Sequence, residues 1–140
     1  MLRSFAAALA ALAALAAPSA TLAQQSAKHQ VVFQVSDNDP AKWNLALNNA
    51  RNVLADLGTD NVQIEIVAYG PGLGMLKADS KVAGRLAEAL DNNVGLLACE
   101  NTMQNTKTTR ADMYAGISYV KAGVTHLMQR QREGWAYIRP

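Results

Sequence analysis

The chain has a single cysteine, Cys99, and only two histidines, His29 and His126, in 140 residues. Without a second cysteine it cannot close a disulfide on itself, so its fold has to rest on core packing. Charge of one sign is lacking too. Thirteen Lys and Arg face eleven Asp and Glu, which gives no reason to propose nucleic acid or an anionic membrane as partner. No Ser/His/Asp set and no paired carboxylates stand out, which removes the usual hydrolase and glycosidase constellations. The soft ligands beyond residue 23 are Met75, Met103, Met113, Met128, Cys99 and His126. They form no close pair, so soft-metal binding is a lesser alternative and no cofactor is expected. Apart from the N-terminal segment there is no long apolar run, no repeat and no low-complexity tract.

That N-terminal segment has its own pattern. Arg3 precedes an apolar run from Phe5 to Ala17 dominated by Ala and Leu, and Thr21 and Ala23 are small residues at the spacing a signal peptidase reads. The run is short for a membrane span. Residues 1–23 are therefore expected to be a cleavable signal peptide cut after Ala23, which implies export to the periplasm and no membrane association afterwards. With no cysteine at the cut there is no attachment point for a lipid. Residues 24–30 read as a flexible lead-in and 31–140 as one domain.

In that domain, β-branched and alternating stretches recur between helical ones. Val31–Val35 and Val62–Tyr69 read as strands, as do the run from Val94 ending at Cys99, Ile117–Val120 and Trp135–Ile138. Asp39 and Pro40 open a helix with an apolar face of Trp43, Ala46, Leu47, Ala50, Val53, Leu54 and Leu57, closed by Gly58. Further helices are expected after Ser80, over Thr106–Tyr114, and around Val124, Leu127 and Met128. Strands alternating with helices predict an α/β fold with a mostly parallel sheet and helices on both faces, layered as in flavodoxin.

Cys99 ends a buried strand, where open parallel sheets hold their ligands. The polar run Glu100-Asn101-Thr102-Met103-Gln104-Asn105 follows it. A helix N-terminus there would stabilise a thiolate, while Glu100 would oppose one. The loop Gly70-Pro71-Gly72-Leu73-Gly74 lacks the lysine and hydroxyl of a P-loop and the glycine spacing of a dinucleotide fold. Gly70, Gly72 and Gly74 could still offer N–H groups to an anion, or simply form a tight turn.

Three stretches carry a family resemblance. Cys99-Glu100-Asn101-Thr102-Met103 looks like a C-x-N-T-(M/L) signature, Tyr69-Gly70-Pro71-Gly72 follows the second strand, and Gly123-Val124, Leu127, Gln131 and Gly134–Pro140 look like a characteristic C-terminal helix and strand. On these the chain from Val31 to Pro140 resembles the DsrE/DsrF-like proteins. The resemblance implies a homo-trimer or hexamer and a sulfur-relay role, possession of a persulfide on Cys99, and exchange with a sulfur donor or acceptor protein. Asn101, Thr102 and Met103 would then support the sulfur site. The chain departs from the relay members in its exported leader and in having Met103-Gln104-Asn105 where they tend to carry an Arg-Gly pair. The alternative reading is a non-catalytic oligomeric module that binds a small ligand or a partner.

Overall fold

The apolar run in His29–Val35 makes a strand buried on both faces (β1), which lies inside the sheet between two neighbours. The computed structural model describes residues 28–140; the expected signal peptide, residues 1–23, lies outside the described residues. Five parallel strands form one sheet in the order β4-β3-β2-β1-β5: β2 is Val62–Ala68, β3 Gly95–Cys99, β4 Ser118–Val120 and β5 Ala136–Ile138. Between them run α1 (Pro40–Leu57), α2 (Ala83–Asp91), α3 (Glu100–Asn105) and α4 (Gly123–Arg132). The expected single-domain α/β fold with a parallel sheet is what the chain adopts. β1 begins two residues before the expected Val31, so His29 and Gln30 belong to the sheet rather than to the lead-in.

The helices divide unequally between the faces. β1, β2 and β3 follow one another across the sheet, and α1 and α2 cover the same face. Trp43, Ala46, Leu47 and Ala50 of α1 and Leu86 of α2 meet Val31, Phe33, Ile64, Ile66, Leu96 and Ala98 there. Asp39 caps α1 as expected, its carboxylate accepting from the Ala41 N–H at 2.9 Å. The chain then crosses from β4 to the far edge, and α4 lies alone on the other face. Leu127 and Trp135 meet Val32, Val67 and Leu97 in a small second cluster.

One helical expectation is corrected, and the helix expected around Val124, Leu127 and Met128 forms as α4 with a different buried side. Thr106–Tyr114 is not a helix: only Arg110–Asp112 makes a 3-10 turn, because Thr109 and Asp112 cap each other across three residues. The six-residue α3 stands before it instead. On α4, Val124 and Met128 point outward, 54% and 58% exposed, and Leu127 with Gly123 forms the buried side.

Candidate functional site

α3 leaves the end of β3 toward the α1/α2 face, where Met103 joins the large core. α4 leaves the end of β4 toward the opposite face, against Leu97 and Val67. β3 and β4 are neighbours, paired Cys99 to Val120. Their connections thus part in opposite directions, and Cys99 sits at the point of parting. Such a switch point opens a crevice at the carboxyl ends of a parallel sheet.

Cys99 is only 5% exposed, yet it belongs to neither apolar cluster. Its surroundings are donors. Burial pushes the thiol up, but the Thr102 hydroxyl and the N–H groups of Gly123, Thr102 and Asn101 outweigh it and hold the thiol below its ordinary value of 9.0. Asn101 shares its N–H with the Lys121 carbonyl at 3.0 Å, which ties the start of α3 to the β4–α4 turn. Thr102 is fixed in turn by the Gly70 N–H, which donates to its Oγ1 at 2.9 Å. The opposing effect expected of Glu100 is answered by Arg110, whose Nη2 donates to Glu100 Oε1 at 2.7 Å while the guanidinium lies over Tyr119.

Of the residues expected to support the sulfur site, Asn101 and Thr102 are beside the thiol. Met103 is not: it is 5% exposed and packs into the core beneath α1 and α2, one face of α3 having to be apolar. Of the two readings of the glycine loop, the tight turn with close backbone approach is the one adopted. Residues Gly70–Leu76 wind into 3-10 turns that bury Gly72, Leu73, Met75 and Leu76. A side chain on Gly72 would place its Cβ 2.3 Å from the Val35 carbonyl oxygen, so this glycine is required for close packing against the end of β1. The Gly70 and Gly72 N–H groups already donate to Thr102 Oγ1 and to the Tyr69 carbonyl, and Gly74 abuts Trp43. The loop shapes the thiol's wall instead of cradling an anion. The soft ligands do not converge: Met75, Met103 and Met113 lie in the α1/α2-side core, and Met128 faces out. Among the described residues no three His, Cys, Asp or Glu side chains are grouped for a metal ion, and no helix is long and apolar enough to cross a membrane.

Two contributors escaped sequence reasoning. Gly123 follows Cys99 by 24 positions, and only the strand order brings its N–H to the sulfur. Its lack of a side chain is the signal: a Cβ there would stand 3.0 Å from the Tyr69 Cβ and 3.2 Å from Val67. The second is Glu65, a carboxylate on the α4 face of β2 that is bound by His126 and Arg130.

The same architecture occurs in MTH1491 of Methanobacterium thermoautotrophicum, a protein of unknown function. It is 39% identical over 81% of this chain and 100% of that one, with a TM-score of 0.77. The chain belongs to the family of MTH1491. BT1422 of Bacteroides thetaiotaomicron, also of unknown function, shares the fold at 16% identity, covering 79% and 94% of the two chains with a TM-score of 0.60. No protein-family model and no curated protein matches the chain. In a member of the MTH1491 family, then, four donors from the starts of α3 and α4 lower the pKa of one thiol, and that arrangement favours a thiolate and any anionic sulfur species attached to it.

Proposed function

We propose that this protein is a sulfur carrier of the DsrE/DsrF-like type, with Cys99 as its persulfide site. The observation that supports this reading is the convergence of the Thr102 hydroxyl and three backbone N–H groups on a sulfur at the sheet's switch point. A thiolate so held is a nucleophile at lower pH than a free thiol. It attacks the outer sulfur of a donor persulfide R–S–S–H. The donor's S–S bond breaks, R–S⁻ leaves, and Cys99–S–S–H forms with no net oxidation. The same donors then hold the extended sulfur. Asn101 and Thr102 position it, and neither metal nor organic cofactor enters the step. The reading includes export to the periplasm after removal of residues 1–23, assembly into a homo-oligomer, and a donor or acceptor protein as partner.

The test is intact-mass measurement after incubation with polysulfide. One added sulfur atom, removed by reductant and absent in Cys99→Ser, is the expected result. A chain that takes up no sulfur overturns the reading.

The 5% exposure of Cys99 favours a second reading, a binding module in which the cysteine is packing. Alkylation separates the two. Labelling of the folded chain with a midpoint below 9.0 belongs to the carrier, and labelling only on unfolding belongs to the module.

A further inference from the structure

The α4 face holds one group of ionisable side chains that the thiol chemistry above does not use. Glu65 Oε1 accepts from Arg130 Nη2 at 2.6 Å, and Oε2 accepts from Arg130 Nε at 3.0 Å. That bidentate pair, with Arg130 stacked 4.4 Å over the Trp135 ring and its Nη1 on Glu133, already fastens α4 to the sheet. His126 is an addition to it. Its Nε2 lies 2.7 Å from Glu65 Oε2, and the two side chains are 15% and 14% exposed.

Pairing with a carboxylate sets the neutral ring's proton on Nε2 and leaves Nδ1 with a lone pair. Nδ1 has no partner among the described residues, and no deeply buried side-chain N or O there lacks one, so Nδ1 reaches open space. The open space is a cleft of about 530 Å³ that His126 lines together with Asn101, Val120, Lys121 and Ala122. Cys99 itself does not line the cleft, but its neighbours do: Val120 pairs with it, Asn101 lowers its pKa through its N–H, and Ala122 precedes Gly123. His126 stands one helical turn beyond Gly123, an axial rise of about 4.5 Å. The volume suits a small molecule, and Lys121 puts an ammonium at its wall for an anionic group.

We propose that His126, oriented by Glu65, is the general base of this cleft, and that the cleft admits a low-molecular-weight thiol bearing a carboxylate as sulfur acceptor. The inference rests on the reading of Cys99 as a persulfide carrier and names the class of acceptor for it. In the step, the acceptor R–S–H gives its proton to His126 Nδ1. The thiolate R–S⁻ attacks the terminal sulfur of Cys99–S–S–H. The bond between the two persulfide sulfurs breaks, R–S–S–H forms, and Cys99 leaves as the thiolate held by Thr102 and the three N–H groups. The transferred sulfur keeps its oxidation level, so no outside oxidant or reductant enters, and the proton on His126 passes to solvent. The charged groups facing His126 are Glu65 from β2, Arg130 from its own helix and Lys121 from the β4–α4 turn.

The test uses the persulfide-loaded full chain in single turnover with two acceptors at neutral pH. N-acetylcysteine arrives protonated, and thionitrobenzoate arrives already ionised. His126→Gln is expected to slow transfer to N-acetylcysteine about 100-fold and to leave transfer to thionitrobenzoate within about twofold. A residue with only a structural role would move both rates together, so equal slowing, or none, overturns the inference. Where His126→Gln does not fold, the parent chain decides. A solvent isotope effect confined to N-acetylcysteine supports the base, and its absence overturns it. A chain that never loads sulfur overturns the carrier reading itself, whereas a chain that loads and hands over without regard to His126 overturns this inference alone.

Discussion

The two faces of the sheet are built differently. Under α1 and α2 a continuous apolar cluster runs from Val31 through Trp43, Ile66, Met75 and Leu86 to Ile117. Under α4 only Val32, Val67, Leu97, Leu127 and Trp135 are buried together. Beside that small cluster the second face keeps Glu65, His126, Arg130 and the thiol. Apolar burial is non-directional and scales with area, so the first face carries most of the stability. The second face uses directional bonds, which hold a few groups in set positions and suit a site.

Core truncation gives the largest expected effect. Phe33→Ala, at a fully buried position of the first face, is expected to lower the unfolding free energy by about 3–5 kcal/mol. Leu127→Ala on the second face should lower it by about 2 kcal/mol, at the bottom of the range for such truncations. Urea unfolding of both variants checks the ranking, and equal losses would break the comparison between the faces.

Next comes the polar lock. Glu65→Gln leaves Arg130 and His126 without their carboxylate. Breaking a fully buried pair costs about 3–5 kcal/mol, and partial solvent access reduces the expected loss to about 1–3 kcal/mol. The pH dependence has a definite sign. Burial raises the Glu65 carboxyl, but the hydrogen bonds from Arg130 and His126 prevail and hold it below its ordinary 4.5. Its contribution is therefore complete above pH 4.5 and lost as pH falls from there through the folded value. Unfolding measured against pH should show that acid loss in the parent chain and a flatter limb in Glu65→Gln.

The difference between the faces also decides what could be read from the sequence. The first face was legible because its signals are local. Asp39 and Pro40 open α1, the three-and-four spacing of Trp43, Ala46, Leu47 and Ala50 marks its buried side, and β-branched runs mark β1 and β2. The second face depends on who crosses to whom. Val124 and Met128 have the spacing of a buried stripe, but α4 starts at Gly123 pressed on Tyr69 and Val67, and that contact turns Leu127 inward. Cys99 was legible as a strand-end thiol. Its Gly123 donor and the Glu65–His126 pair, 61 positions apart, were not, because they exist only through the order β4-β3-β2-β1-β5. The glycine loop was ambiguous for a related reason: Gly72 is needed where Val35 comes too close for a Cβ, and composition does not tell that from anion binding.

Thr102→Val sharpens the comparison from the side of the thiol. It removes the hydroxyl that joins Cys99 to the Gly70 N–H and keeps the side chain's shape. The alkylation midpoint of Cys99 is expected to rise toward 9.0, with a smaller change in stability than any variant above. The sign follows from linkage. A thiol depressed in the folded state adds stability as pH rises above the folded value, complete above 9.0, so the thiol-linked part of the parent's stability is lost in the variant on the alkaline side only, while loss of the Gly70 N–H partner acts at every pH.

The smallest effect is expected on the outer side of α4. Val124 and Met128 are more than half exposed and belong to neither cluster, so Val124→Gln and Met128→Gln should each change the unfolding free energy of the isolated chain by less than about 0.5 kcal/mol. Unfolding at a series of protein concentrations makes this a test of assembly as well. If a homo-oligomer forms through this side of α4, the parent chain gains stability with concentration and the variants do not. If parent and variants gain stability with concentration alike, the oligomer uses another surface, and if neither does, no assembly is linked to folding. In every case the first face is unaffected, since the cluster around Phe33 and Leu86 lies on the other side of the sheet from α4.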